Sequence, residues 1–220
     1  MDNIIVVGSS GQAKAVIDIV EQQNSYAIVG LLDSFRPIGE ETLGYSILGA
    51  EDDLPALVRQ HDLAGVIVAI GDNHARAAVA ARIALACPQL RFVNAVHPNA
   101  SIGKAVLIGE GTVVMAGAVL GPCCQLGRLC IVNTKASLDH DSVMSDFSSL
   151  APGVTTGGYC RIGSYTAVGI GAVVFDRVVI GEHSVIGGGA VVLHAVEAFC
   201  VSYGVPAKKV RDRQAGDRYL

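Results

Sequence analysis

The chain has 220 residues, 51% hydrophobic and only 16% charged, with a net charge of −4 and no basic run. That length allows one or two domains, and the acidic balance argues against nucleic-acid binding. No apolar run approaches the roughly 20 residues of a membrane span, and no charged segment precedes the short apolar start, so a cytoplasmic protein is expected.

Ile4 to Val7 reads as a short buried strand, Gly8-Ser9-Ser10-Gly11 as a turn, and residues 12–23 as a helix with Ala13, Val16, Ile17 and Val20 at helical spacing. A second strand runs from Ala27 to Leu32 and ends at Asp33. Glu51 to Gln60 reads as a helix and Val66 to Ile70 as a third strand, followed by the turn Gly71-Asp72-Asn73. His74 to Cys87 is an alanine-rich helix and Arg91 to Val96 a fourth strand. Strand and helix in alternation predict a small Rossmann-like parallel sheet over residues 1–97. Ligands bind such sheets beyond the carboxyl ends of the strands, where the turns at Gly8, Asp33-Ser34 and Gly71 lie. The glycine turn can cradle a phosphate, and Asp33 can accept hydrogen bonds from a ribose or sugar hydroxyl. The spacing Gly-x-x-Gly is shorter than the full dinucleotide fingerprint, so a plain structural turn stays open.

His97-Pro98 marks the passage into a repeat. From Ile102 to Val192 every sixth residue is apolar, sixteen in succession with one soft exception at Thr156. Two residues before each hit the side chain is small, and Gly follows the hit in nine of the sixteen cases. A period of six is the hexapeptide signature of a parallel β-helix, here of about five coils over residues 98–208. The aliphatic residue fills the tube and the small residue must not crowd it. The following Gly is expected to adopt positive φ at a corner, with Asn133 and Asp139 tolerating the same conformation. Cys124, Cys130 and Cys160 fall in the small slots and read as buried small hydrophobes. Residues 209–220 form a charged tail to which no role is assigned.

Three hexads make a coil of 18 residues, so residues 18 apart stack at roughly 4.8 Å. Lys104, Pro122, His140, Gly158, Asp176 and His194 form one column. His140 lies two residues beyond the core position Leu138, so it is expected to point outward. Gly158 above it leaves a bare N–H beside the imidazole. A base next to a bare amide suits acyl transfer: the imidazole collects a proton and the N–H stabilises the oxyanion. Asp141 can orient the ring, although neighbouring strand residues tend to face apart. No metal is expected: His194 is three coils from His140, roughly 14 Å, far beyond a shared zinc ion, and His183 falls halfway round the coil.

With these residues in place the chain resembles the hexapeptide-repeat, left-handed β-helix acetyltransferases of bacteria that act on nucleotide-linked amino sugars, the PglD/NeuD-like group. The resemblance rests on Val6-Val7-Gly8-Ser9-Ser10-Gly11-Gln12, Leu32-Asp33, Ile70-Gly71-Asp72-Asn73, Val96-His97-Pro98, Asp139-His140-Asp141, Asp146-Phe147 and Gly204-Val205-Pro206-Ala207-Lys208. It implies a homotrimer with acetyl-CoA in the groove between adjacent β-helices and no metal. It implies His140 as the base with Asp141 as its acidic neighbour. Gly158 and Gly188 would give backbone contacts to the cofactor, and Pro206, Ala207 and Lys208 would lie near the CoA nucleotide. The nucleotide-sugar substrate would sit on Gly8, Ser9, Ser10, Gly11, Asp33, Ser34, Gly71, Asp72 and Asn73. Two family histidines are replaced here, one by Gln12 and one, which lines the acetyl-CoA site, by Ser149. The implied activity is N-acetylation of a nucleotide-linked, UDP-type 4-amino-4,6-dideoxy sugar. Acetylation of a sugar or sialic-acid hydroxyl and a non-catalytic nucleotide-sugar or CoA binder are the alternatives.

Overall fold

The computed structural model describes residues 1–217 and Tyr219. The chain divides into two compact units, Met1–Pro98 and Asn99–Leu220.

The first unit runs β1 (Asp2–Val7), α1 (Gly11–Gln23), β2 (Tyr26–Leu32), β3 (Glu41–Thr42), β4 (Tyr45–Gly49), α2 (Leu54–His61), β5 (Leu63–Val68), α3 (Asn73–Ala86) and β6 (Arg91–Phe92). Its sheet has the order β3-β4-β2-β1-β5-β6. Pairing is parallel from β4 through β6, and only β3 runs antiparallel. Ile4, Ile5, Val6 and Val7 are all fully buried, as a central parallel strand covered on both faces requires. The hairpin β3–β4 was not foreseen. Its turn puts both Leu43 (φ 50°) and Gly44 (φ 82°) in the left-handed region, the geometry of a tight hairpin turn. Leucine is a poor choice there, so Gly44 was the one available cue. The expected strand from Arg91 to Val96 is interrupted and meets β5 only through Arg91–Phe92.

In the second unit each hexad is a two-residue strand and a four-residue turn. The apolar hits are the second residues of these strands: Leu120, Leu138, Met144 and Leu150 are at most 1% exposed. Strands 18 residues apart pair in parallel, for example Val119 with Ser137 and Val143 with Arg161. Three sheets result. Face one carries Val119–Leu120 and Ser137–Leu138, face two Gln125–Leu126 and Val143–Met144, and face three Ile131–Val132 and Ser149–Leu150. The chain visits the faces in that order and begins again. From Thr112 onward the small slots are buried, and their hydroxyls are satisfied within the tube: Thr166 donates to the Gly181 carbonyl at 2.6 Å, and Ser142 accepts from the Cys160 N–H at 3.0 Å. Burial raises the thiol pKa of Cys124 and Cys160, which keeps them protonated and inert.

The glycine expectation is corrected. Glycines after the hits do not have positive φ; that conformation falls two residues later, at Cys123, Asp141, Phe147, Tyr159, Tyr165 and Arg177 among others. The early glycines are there because coils approach closely. A Cβ on Gly121 would lie 2.5 Å from the backbone nitrogen of His140. Asn133 and Asp139 hold the early position differently: each accepts the next residue's N–H at 2.8 Å through its side-chain Oδ1.

Lys209 to Asp212, in the segment read as a tail, continue a strand, Ala207–Asp212, that pairs antiparallel with Cys200–Gly204. Tyr219 packs against Ala167, Val185 and Val201 on face three, and Arg213 is buried. Among the described residues no helix is long and apolar enough to cross a membrane.

Candidate active site

His140 and Asp141 occupy the turn from face one to face two. Leu138 is anchored in the core, and the chain leaves the tube at Asp139. In place of a backbone bond, the Asp139 N–H reaches the hydroxyl of Thr156 at 3.0 Å. The ladder registers Ser137 opposite Thr155, with no pairing between Leu138 and Thr156. The one polar hit in the repeat therefore interrupts the ladder beside His140.

The imidazole is exposed, and its Nδ1 lies 2.9 Å from Asp141 Oδ2. A carboxylate can only accept, so Nδ1 carries the proton and Nε2 holds the free lone pair. Asp141 (φ 58°) is left-handed, so the two side chains share one side of the turn instead of facing apart as strand neighbours do. The His140 pKa is raised, first by the Asp141 hydrogen bond; desolvation opposes it next, and the charges of Asp139, Asp141 and Asp176 add to the rise. Directly above, a Cβ on Gly158 would lie 2.6 Å from Cε1 and 2.7 Å from Nε2 of His140. Only glycine leaves the ring its place. The Gly158 carbonyl accepts from Arg177 N–H, while its own N–H meets no acceptor among the described residues.

Sequence reasoning missed two neighbours. Tyr159 stands edge-on to the imidazole with centroids 5.2 Å apart, and the Arg177 guanidinium lies over the Tyr159 ring at 5.4 Å. Both follow Asp141 by whole coils, so column counting from Asp141 would have found them. The other expected cofactor residues lie elsewhere on the coil. Ser149 is on face three, Gly188 is in the turn from face three back to face one, and Pro206, Ala207 and Lys208 belong to the terminal hairpin. One chain therefore gathers His140, Asp141 and Gly158 and leaves the rest apart. Among the described residues no group of three or more His, Cys, Asp or Glu could hold a metal.

In the first unit the turn expected to cradle a phosphate is built as a turn must be. Gly8 has φ 106°, and a Cβ there would lie 2.8 Å from the Ala69 carbonyl oxygen. Ser9 is buried and donates to Asp33 Oδ2 at 2.5 Å, while Asp33 Oδ1 accepts the Phe35 N–H at 2.8 Å. Arg36 donates to the Ser9 carbonyl and hydroxyl at 3.2 and 3.1 Å. Ser10 precedes α1 without a side-chain cap, and Gly11 opens the helix. The Ser34 hydroxyl donates to Glu51. Asp72 caps α3 by accepting the Ala75 N–H at 2.8 Å. Asn73 is wholly buried and accepts from Arg76 at 2.7 Å, and the same guanidinium bonds the Ile70 and Gly71 carbonyls. The amide Nε2 of Gln12 is buried and has no hydrogen-bond partner among the described residues.

A hexad β-helix carrying an oriented imidazole against a bare peptide donor defines an acyltransferase of the hexapeptide-repeat class. Residues 3–83 match the PglD N-terminal domain. The chain is 29% identical over 117 residues to the UDP-N-acetylbacillosamine N-acetyltransferase of Bacillus subtilis, which covers 53% of this chain and about half of that protein, 52%. It superimposes with a TM-score of 0.91 on a mutant perosamine N-acetyltransferase from Caulobacter crescentus in complex with CoA and GDP-perosamine, at 31% identity over 96% of this chain and 98% of that one. The acetyltransferase domain of PglB from Neisseria gonorrhoeae, in complex with acetyl coenzyme A, gives a TM-score of 0.88 at 29% identity over 94% and 98% of the two chains. The chain belongs to the PglD-like hexapeptide-repeat sugar acetyltransferases, and its architecture is theirs: an α/β domain followed by a left-handed β-helix.

Proposed function

We propose that the protein transfers the acetyl group of acetyl-CoA to the amino group of a nucleotide-linked 4-amino-4,6-dideoxy sugar, with His140 as general base. The observation that carries this reading is the imidazole tied to Asp141 at 2.9 Å and seated against the side-chain-free Gly158. The bare Gly158 N–H fits the carbonyl oxygen of a thioester. Gly8 to Gly11 and Asp33 suit a diphosphate and a ribose. Asp72 and Asn73, whose side chains are committed within the fold, would serve by fixing the backbone of their turn. The uridine nucleotide is the first reading, on the strength of the Bacillus relative, and the Caulobacter complex favours guanosine as the second.

His140 Nε2 takes the proton that the acceptor nitrogen sheds as its bond to the acetyl carbon forms. Gly158 N–H faces the oxygen that receives the carbonyl electron pair. The imidazolium then returns the proton to the departing CoA sulfur. The separation of Ser149, Gly188 and the Pro206–Lys208 segment from the His140 turn supports a homotrimer in which a neighbouring copy completes the CoA groove. Six free thiols suit a reducing cytoplasm.

The test is incubation with labelled acetyl-CoA and a panel of UDP- and GDP-linked amino and hydroxy sugars, with sedimentation for the assembly. Acetylation of an amino sugar with equimolar release of CoA thiol, by a trimer, is expected. Label carried only by hydroxy sugars would make the protein an O-acetyltransferase. CoA binding without thiol release on any acceptor would make it a binder.

A further inference from the structure

The two-glycine step Gly157–Gly158 receives a side chain from each neighbouring coil. From below comes the His140 imidazole, against Gly158. From above comes the carboxylate of Asp176, whose Oδ1 lies where a Cβ on Gly157 would stand. Base and carboxylate thus converge on consecutive residues of one turn.

The other two carboxylates here are occupied. Asp139 accepts the His140 N–H, and Asp141 holds Nδ1. Asp176 is exposed and takes no hydrogen bond or ion pair among the described residues. A sister turn shows what such a carboxylate ordinarily does. Asp146 lies over Gly127 in the same way, and its Oδ1 accepts the Arg128 N–H one coil below at 2.8 Å. The matching N–H under Asp176 is that of Gly158, and the bond is not made. Both the carboxylate and the amide remain available to ligands.

We propose that Asp176 is a further catalytic residue, the anchor of the acceptor amine, and that it makes the site select an amine over a hydroxyl. The proposal rests on the acyl-transfer reading above. An amine attacking a thioester becomes cationic as its bond to carbon forms, and the carbonyl electron pair moves onto oxygen. Asp176 stands beside that cation while Gly158 N–H faces the oxyanion, so each developing charge meets its opposite. The nitrogen's proton passes to His140 Nε2, the carbon–sulfur bond breaks, and the thiolate takes the proton from the imidazolium. A hydroxyl develops no comparable persistent cation and gains little from the carboxylate. The raised pKa of His140, to which Asp176 contributes, agrees with their proximity.

The experiment uses Asp176→Asn in the full chain with GDP-perosamine, its UDP-linked 4-amino counterpart, and the congeners bearing hydroxyl in place of the amine. The expected result is a fall in kcat/KM for the amine of about 10- to 100-fold. CoA affinity and Tm stay at wild-type values, and calorimetry with CoA present shows the amine-to-hydroxyl affinity ratio collapsing toward one. Unchanged kcat/KM and an unchanged ratio overturn the assignment. Should wild type acetylate none of these acceptors, the acyl-transfer reading fails and calorimetry alone decides. A wild-type preference for the amine that Asp176→Asn abolishes upholds the anchor. No such preference, or no binding of either congener, overturns it too.

Discussion

Two histidines sit at neighbouring corners of the solenoid and do opposite things. His140 is the second residue of its turn, exposed, edge-on to Tyr159 and tied to Asp141. His183 is the third residue of its turn, with φ 53°. It lies flat between Tyr165 (4.4 Å, 9°) and Phe199 (4.8 Å, 12°), in a column that starts with Phe147 stacked on Tyr165 at 5.1 Å. At His140 the second position carries an exposed side chain. The third, left-handed position lays its side chain along the column, and the coil repeat of roughly 4.8 Å is close to a stacking distance. The same imidazole is thus exposed and tied to a carboxylate at one position and stacked between rings at the next. Sequence identity alone does not distinguish them; the register within the hexad does.

The contrast breaks most visibly at His140. His140→Ala is expected to lower kcat by about 10²- to 10⁴-fold with Tm unchanged, because the side chain is exposed. A full-speed variant would remove His140 from the mechanism. Gly158→Ala comes next. Its methyl would occupy the space of the imidazole, and a displacement near 1 Å costs about 100-fold. The chain should still fold, since Gly158 needs no left-handed φ and a side chain is the nearest obstacle; heat stability and CoA binding check that half. Asp141→Asn should cost less, about tenfold at neutral pH. Its sharper signature is the pH profile. The base must be neutral, so kcat/KM falls as pH drops through the His140 pKa, which Asp141 holds above the usual 6.5. Asp139, Asp176 and Tyr159 also face the ring, with Arg177 over Tyr159, and they stay in place. Removing the Asp141 charge moves the acid limb to lower pH; a limb that stays put would deny Asp141 its role.

The β-helix was legible because its register is one number repeated. Each apolar hit proves to be the second residue of a strand, and column arithmetic placed His140 under Gly158 without coordinates. What the repeat hid lies in its turns. Glycine after the hit looked like a matter of φ, yet Gly121 is required by the coil above it. Thr156 looked like a lapse in the pattern, yet its hydroxyl takes the N–H of Asp139 and replaces one backbone bond of the ladder at the start of the His140 turn. Tyr159 and Arg177 were overlooked because the count was made from His140 and not from Asp141. In the first unit the periodicity found the strands and helices around the ligand turns. At Gly71-Asp72-Asn73 the expectation of a ligand turn passed over a local alternative: Asp72 caps α3 and Asn73 holds Arg76, each through a partner three residues on, the spacing of a helix start.

The smallest expected effect on turnover belongs to His183, and it completes the contrast. His183→Ala removes two stacked contacts, each worth about 0.5–1.5 kcal/mol beyond area burial. For a chain of this size a loss of about 2 kcal/mol lowers Tm by roughly 4–8 °C. The backbone at position 183 holds φ 53°, which histidine tolerates better than alanine, so His183→Phe, and not the loss in His183→Ala by itself, isolates the stacking contribution. Turnover and its pH profile should not move. His183→Phe should recover the part of the Tm loss that stacking between Tyr165 and Phe199 accounts for. If His183→Phe stays as unstable as His183→Ala, the imidazole nitrogens matter there, and the division of the two corners into chemistry and packing does not hold.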